Sequence, residues 1–444
     1  MPHLHESIQS QGVRLLIIGS EVTQGFIFDT NTQFICAAMF EIGVEVKEIR
    51  VIPDDKETII KTLNEFLSKD DFILTTGGLG PTDDDLTVDI LCEIMNVKAV
   101  FIKDCEKRVK IVIEKYAREA PSTRSRYEKR LYRQCRIPEN AQALPNHAGL
   151  APGIFISDYK IVSLPGFPLE IRNIWPHALE KIRQNVKSHF LSKTFNIWGV
   201  MESILYESLQ FSKDSPNKII MGNHSLAWGN QLFLRTSEEN KVEYDALIQQ
   251  IHEKFGANIV ENPILAWIDH LKKNKLTFGA VESCTGGYAS KLLTDIPGVS
   301  DIFPGGIISY DNQIKEDVVG VSGKTLEKFG AVSRETALEM ALGGAKKLGS
   351  DITISITGIA GPTGGSEEKP VGTVYFGIYN KKEKSACTGH GYFPFGRERF
   401  RNAVVHFIYL MLYQRYVYYN DESLWLKTVQ GQSFQPASLP ESLV

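Results

Sequence analysis

Four residues near the middle of the C-terminal half, Glu282, Ser283, Cys284 and Lys315, have the types and spacing for acyl-transfer chemistry. The apolar run LTFGAV leads into SCTGG, after which Ala289, Leu292 and Leu293 fall at helical spacing, so the sequence predicts a strand, a tight turn and a helix. Such a turn lifts a short side chain to the end of a sheet and aims free N–H groups at it, which makes Ser283 a candidate nucleophile. Taken alone, the turn favours a helix cap, because Ser and Thr lead at that position. Cys284 is intrinsically the better nucleophile, but neighbours leaving a strand point to opposite sides, so only one of the pair faces a ligand. Glu282 offers either a general base for a water attack or a partner for the helix dipole.

About twenty residues on, FPGGIISYDNQIK repeats the arrangement: a glycine turn at Gly305 and Gly306, a short apolar strand, then Tyr310 and Lys315. These two can converge on one site, although an isolated lysine is usually a solvated charge and a tyrosine at a strand end usually packs. The β-branched run ITISIT then empties into GIAGPTGGSEEKPVGTV. In an open α/β sheet that loop lies at the ligand edge beside SCTGG, so Gly286 and Gly287 with Thr357, Gly358, Ala360 and Gly361 can form an anion cradle. A long hairpin rich in turn residues is the alternative. Arg397 and Arg401, i and i+4 if helical, either bind a substrate phosphate or lie on a solvated helix face.

A third cluster lies near the N-terminus, in GGLGPTDDDLT. Gly77, Gly78 and Gly80 permit close backbone approach and positive φ, while Pro81 and Thr82 stiffen the exit. With Asp83, Asp84 and Asp85 following, phosphate-binding N–H groups and hard oxygen ligands for a divalent cation sit together, as a phosphoanhydride requires. The aspartates can instead serve only the dipole of the next helix.

The elements that must hold these clusters follow from periodicity. VRLLII, VEVKEIRVI and DFILTT read as strands, with helices over residues 32–41, 56–68 and 88–95, and a βαβ start predicts a parallel sheet. A helix over residues 179–186 is expected to close the first domain. QLFLRT and the helix YDALIQQIHEKFG, with Leu247, Ile248, Ile251 and Phe255 at helical spacing, predict a small α+β module. ILAWIDHLKKNK is an amphipathic helix leading into the Ser283 strand, and VYFGIY is a further strand.

At 444 residues the chain has room for about three domains, and its formal net charge of −4 without a basic stripe argues against non-specific nucleic-acid binding. The six cysteines are scattered without CxxC pairs, which predicts a reducing, cytoplasmic setting. No signal peptide or membrane span is expected, and the ten histidines form no HExxH. The final TVQGQSFQPASLPESLV lacks periodicity and is expected to be disordered.

In the N-terminal half, GGLGPTDDDLT, DTNTQ at 29–33, APG at 151–153 and LPGFPLE at 164–170 resemble the CinA family, whose first domain is similar to molybdopterin-binding domains of the MoaB/MogA type. The resemblance implies nucleotide contacts at Asn31, Gly77, Gly78, Gly80, Thr82, Gly153 and Gly166. It further implies an ADP-ribose pyrophosphatase using magnesium or a similar cation, with Asp54, Asp84 and Asp85 available as ligands. The alternative is a non-catalytic nucleotide or molybdopterin binding module. GSEVTQG departs from the family's GDELLxG by placing Ser20 where the acid stands. Farther on, VESCTGG, GGIISYDNQIK, GAVSRETA, SITGIAGPTGGSEEKPVGTVYFG and FPFGRERFR resemble the CinA C-terminal domain, which looks like nicotinamide-nucleotide amidase. Thr363 replaces a usual glycine, and FPFGRERFR is one residue short of the usual spacing.

That resemblance implies hydrolysis of nicotinamide mononucleotide to nicotinate mononucleotide and ammonia without a cofactor, with Ser283 as nucleophile completed by Lys315 and Tyr310, the tyrosine orienting the lysine or relaying a proton. The expected α/β architecture is a molybdopterin-binding-like domain at 1–187, a KH-like module at 188–260, an amidase domain at 261–428 and a tail at 429–444. The KH-like module has no basic GxxG loop, so it is expected to act as spacer or dimer contact in a homodimer, without nucleic-acid or membrane partners.

Overall fold

The run VRLLII becomes β1 (Val13–Ile18), flanked in parallel by β2 (Val46–Ile52) and β3 (Phe72–Thr76). All five residues of β3 are buried, the mark of a strand covered on both faces. Phe72 and Leu74 pack with Ile35 and Ile174 on one side, and Ile73 packs with Leu63, Phe66 and Leu91 on the other. The computed structural model describes residues 12–119, 124–187, 190–209, 219–429 and 435–438. His3 and His5 lie outside them.

A separate ladder pairs β4 (Ala99–Phe101) with β5 (Arg136–Pro138). With β6 (Gln142–Leu144), β7 (Gly153–Ile156) and β8 (Ile161–Leu164), the six-stranded sheet runs β2-β1-β3-β8-β7-β6. β8 is parallel to β3, and β7 and β6 add on antiparallel. The helix expected over 179–186 spans Pro168–Asn185. It begins eleven residues early because Pro168 occupies its first turn, where a missing N–H costs nothing and φ is already helical. Two further helices, Lys103–Glu119 and Arg124–Arg133, fall in a charged stretch whose weak apolar periodicity predicts no element.

β9 (Leu191–Trp198), β10 (Ile219–Leu226) and β11 (Gly229–Thr236) form a small sheet in the order β10-β11-β9, followed by the helix Lys241–Phe255. Contacts divide the chain into two units, one of Met1–Lys193 with Arg235–Lys241, the other of Thr194–Leu234 with Val242–Val444. The second unit holds β12 (Phe278–Glu282), β13 (Gly305–Ile308), β14 (Ile352–Gly358), β15 (Thr373–Asn380), β16 (Ser385–Tyr392) and β17 (Gln435–Pro436), in the order β13-β12-β14-β15-β16-β17. β12 is parallel to β13 and β14, and the remaining neighbours are antiparallel.

The tail expected to be disordered therefore contributes a strand, since Gln435 and Pro436 pair with Thr388 and Cys387 on the open edge of β16. The remainder of that expectation, 430–434 and 439–444, lies outside the described residues. Among the described residues no helix is long and apolar enough to cross a membrane.

In each large sheet the chain leaves its first strand, adds a neighbour on one side, and returns to the other side. The crevice beyond the carboxyl ends of β1 and β3, and that beyond β12 and β14, are thus topological switch points, where α/β sheets bind ligands.

Candidate active site

Beyond β12 the two faces of the sheet separate the rival nucleophiles. Phe278, Ala280 and Cys284 belong to the large apolar cluster that includes Phe400 and Trp267, whereas Val281 packs with Val319, Val321 and Met340 on the opposite face. Burial pushes the Cys284 thiol up to about 12, so at neutral pH it stays protonated. Ser283, two residues after Val281, continues the other face and is held by its N–H donating to the Ile356 carbonyl at 2.9 Å.

Glu282 is fully buried and its carboxylate is committed to the helix Tyr288–Thr294. Oε2 accepts the N–H groups of Gly287 and Ala289, each at 3.0 Å, and Oε1 accepts the Ser290 N–H at 2.8 Å and its hydroxyl at 2.7 Å. The capping role that the turn offers to Ser283 is therefore filled by Glu282, which leaves the Ser283 hydroxyl unassigned and leaves Glu282 without a role as base. Gly286 and Gly287 adopt φ of 60° and 92°, a conformation that glycine takes without strain.

Lys315 opens a π-helical turn, Lys315–Val319, and is only 1% exposed. Its Nζ donates to the carbonyls of Ser309 at 2.7 Å and Tyr310 at 3.1 Å. Burial holds its pKa below the ordinary lysine value, favouring the neutral amine that a base requires. No hydrogen bond joins this nitrogen to the Ser283 hydroxyl.

Tyr310 orients the lysine through its carbonyl and not through its phenol. The ring is 59% exposed, and its hydroxyl accepts from Arg397 Nη2 at 2.8 Å. Arg397 also donates to the Gly361 carbonyl at 3.0 Å, and Arg401 Nε donates to the Thr285 carbonyl at 3.0 Å. The two arginines thus brace the loops that follow β12, β13 and β14.

Other expected contacts are relocated. Gly305 and Gly306 pair with Gly279 and Ala280 at the amino end of β13, away from Ser283, and a side chain at Gly306 would strike Ser290 Oγ. The Thr357 hydroxyl donates to the Ala331 carbonyl at 2.7 Å and so serves packing. Gly358 lies against the carbonyl of Thr373 in the β14–β15 ladder, and Ala360 joins the apolar cluster. Two hydroxyls not singled out in the sequence come forward instead: Thr285 Oγ1 and Ser309 Oγ are buried without a hydrogen-bond partner. Their signal is polar residues continuing the buried faces just beyond strand ends. A cavity of about 730 Å³ elsewhere in this unit, walled by Trp228, Phe393, Phe395 and Phe407, contains none of Ser283, Tyr310 and Lys315.

In the first unit the glycine loop after β3 is folded on itself. A side chain at Gly77 would meet the Ile18 carbonyl, and one at Gly78 would meet Thr87. Asp85 accepts the N–H groups of Gly80 at 2.8 Å and Thr82 at 2.7 Å, together with the Thr82 hydroxyl. Asp54 accepts the Ser20 N–H at 2.7 Å, while Ser20 Oγ accepts the Asp54 N–H at 3.2 Å. Asp83 is paired with Arg133. Among the described residues no three of His, Cys, Asp and Glu converge to hold a metal, so Asp54, Asp84 and Asp85 do not fit the expected cation site. Asn31 Nδ2 does reach the Gly166 carbonyl, at 2.7 Å, joining two expected contacts, but Gly153 is buried in β7 where a side chain would strike Ile174.

A parallel-edged sheet with a self-folded glycine loop, followed by a sheet bearing a serine and a buried lysine at its switch point, defines a two-part α/β protein. Residues 14–184 match the family model described as probable molybdopterin binding domain, and residues 263–416 match the CinA C-terminal domain. The CinA-like protein of Leptospira interrogans serogroup Icterohaemorrhagiae is 35% identical over 421 residues, covering 91% of this chain and 98% of that protein. That of Pseudothermotoga lettingae is 36% identical over 405 residues, covering 90% and 97%. A solved structure of a competence/damage inducible protein from Agrobacterium tumefaciens is 38% identical, covering 34% of this chain and 91% of that one at a TM-score of 0.32. The chain belongs to the CinA-like protein family.

Proposed function

We propose that the second unit hydrolyses the carboxamide of nicotinamide mononucleotide, giving nicotinate mononucleotide and ammonia, with Ser283 as nucleophile and Lys315 as its base. The observation that carries this reading is the buried Lys315 amine, aimed at the end of β13 on the same sheet face as Ser283 and held there by two carbonyls. A serine hydroxyl is weak at neutral pH and needs such a base. Ser283 attacks the carboxamide carbon as its proton passes to the amine. The tetrahedral oxyanion is stabilised by N–H groups of the glycine turn, the proton returns to the leaving nitrogen, ammonia departs, and water hydrolyses the ester. Arg397, exposed at the mouth, retains N–H groups for the nucleotide phosphate. The test is ammonia release from the mononucleotide by wild type and by Ser283→Ala; an active Ser283→Ala protein contradicts the proposal.

For the first unit we infer nucleotide or pterin binding without hydrolysis. The self-paired Asp54 and Asp85 favour that reading over a cation-dependent ADP-ribose pyrophosphatase. Calorimetry with ADP-ribose alongside an assay for AMP separates the two, and cation-stimulated AMP formation contradicts the binding-only reading.

A further inference from the structure

Lys315 and Ser283 occupy one face of the sheet without touching, and the group between them is Ser309. The β12–β13 register pairs Glu282 with Ile308, and the Ser309 N–H donates to the Glu282 carbonyl at 2.8 Å. Ser283 and Ser309 are therefore the next rung, on the face carrying Val281 and Ile307. Ser309 is 0% exposed and its hydroxyl has no hydrogen-bond partner. An orphan of this kind is rare and costs roughly 1–3 kcal/mol, so a fold that keeps one has a use for it or supplies its partner during function. Its own carbonyl is one of the two acceptors of Lys315 Nζ. When that nitrogen is neutral, its two N–H groups are taken by the Ser309 and Tyr310 carbonyls, and only its lone pair remains unmatched.

We propose that the Ser309 hydroxyl relays the proton between Ser283 and Lys315. Adjacent strands lie about 4.8 Å apart, so rotation of the Ser309 side chain between staggered wells spans the gap between its rung partner and the amine. In the forward step Ser309 gives its hydroxyl proton to the Lys315 lone pair and takes the Ser283 proton, as Ser283 Oγ forms the bond to the carboxamide carbon and the carbonyl electron pair moves to oxygen. In the reverse sense the ammonium returns its proton through Ser309 to the departing nitrogen, the carbon–nitrogen bond breaks, and ammonia leaves. No oxidant or cofactor enters. This inference rests on the reading of Ser283 as the nucleophile, and its test is chosen to work whatever the natural amide is.

The experiment measures the rate at which a fluorophosphonate reagent modifies Ser283 in the full chain, with the site located by peptide mapping. Ser283 Oγ displaces fluoride from phosphorus, a reaction that needs the activated hydroxyl and no particular substrate. Wild type is expected to react at Ser283, Ser309→Ala to react about 100-fold more slowly, and Ser309→Thr, which keeps the hydroxyl, to recover most of the rate. Because Ser309→Ala deletes an orphan, its melting temperature should equal or exceed that of wild type. With nicotinamide mononucleotide the loss should fall on kcat and leave KM unchanged. A wild-type labelling rate in Ser309→Ala overturns the relay and leaves Ser283 as nucleophile. A slower rate accompanied by a lowered melting temperature, or no recovery in Ser309→Thr, assigns a structural role and also overturns it. Failure of wild type to label at Ser283 overturns the nucleophile reading and the relay with it.

Discussion

The two sheets present the same device at their switch points and leave it in opposite states. Beyond β1 and β3, the glycine loop uses its polar groups on itself: Asp85 collects the amides of Gly80 and Thr82, and Asp54 closes with Ser20. Beyond β12 and β14 the acid is likewise committed, with four hydrogen bonds to Glu282, but hydroxyls and an amine remain over. Ser309 and Thr285 are orphaned, and Lys315 is buried against carbonyls without a counter-charge hydrogen-bonded to it. Structural polar groups find partners and reactive ones are kept short of them. Glycine content does not distinguish the two edges; hydrogen-bond accounting does.

The largest effect that can break this contrast is on Ser283→Ala, expected to lower kcat for ammonia release by about 10⁴-fold or more. Lys315→Met should cost about 10²–10⁴-fold, with KM little changed. Because burial favours the neutral amine, the wild-type rate should rise with pH through a pKa below the ordinary lysine value, and that limb should vanish in Lys315→Met. An inflection at or above the ordinary value removes Lys315 as the base. Arg401→Ala deletes charged hydrogen bonds to the Thr285 carbonyl and should lower stability by about 1.5–3 kcal/mol in denaturant titration, loosening the SCTGG turn. On the other edge, Asp85→Ala should cost about 1 kcal/mol of stability without changing ammonia release. Cys284→Ala should have the smallest catalytic effect, since the thiol faces the apolar cluster. Loss of activity there comparable to Ser283→Ala would restore the thiol as nucleophile.

Both parallel cores were legible in the sequence because buried strands such as ILTT and ITISIT are long apolar or β-branched runs bounded by glycine. The pairing of Ser283 with Lys315 on one face followed from strand alternation. What periodicity could not supply were partners chosen across the fold. Glu282 caps a helix seven residues on, the Tyr310 phenol is held by Arg397, and the 429–444 stretch finds an open strand edge. The metal expectation failed for the same reason, because three aspartates close in sequence point to a loop amide, a basic helix and solvent, and Asp54 to Ser20. The Pro168 helix was missed because proline was taken as part of a turn when it sat in a first helical turn.

The central claim is that the second unit forms a covalent acyl intermediate on Ser283. Reaction with nicotinamide mononucleotide, quenched in acid within the first turnover and analysed by peptide mass spectrometry, tests it most directly. The account predicts a nicotinate-mononucleotide ester on the peptide carrying Ser283, absent in Ser283→Ala. An adduct on the Cys284 sulfur, or ammonia release at full rate from Ser283→Ala, would contradict it.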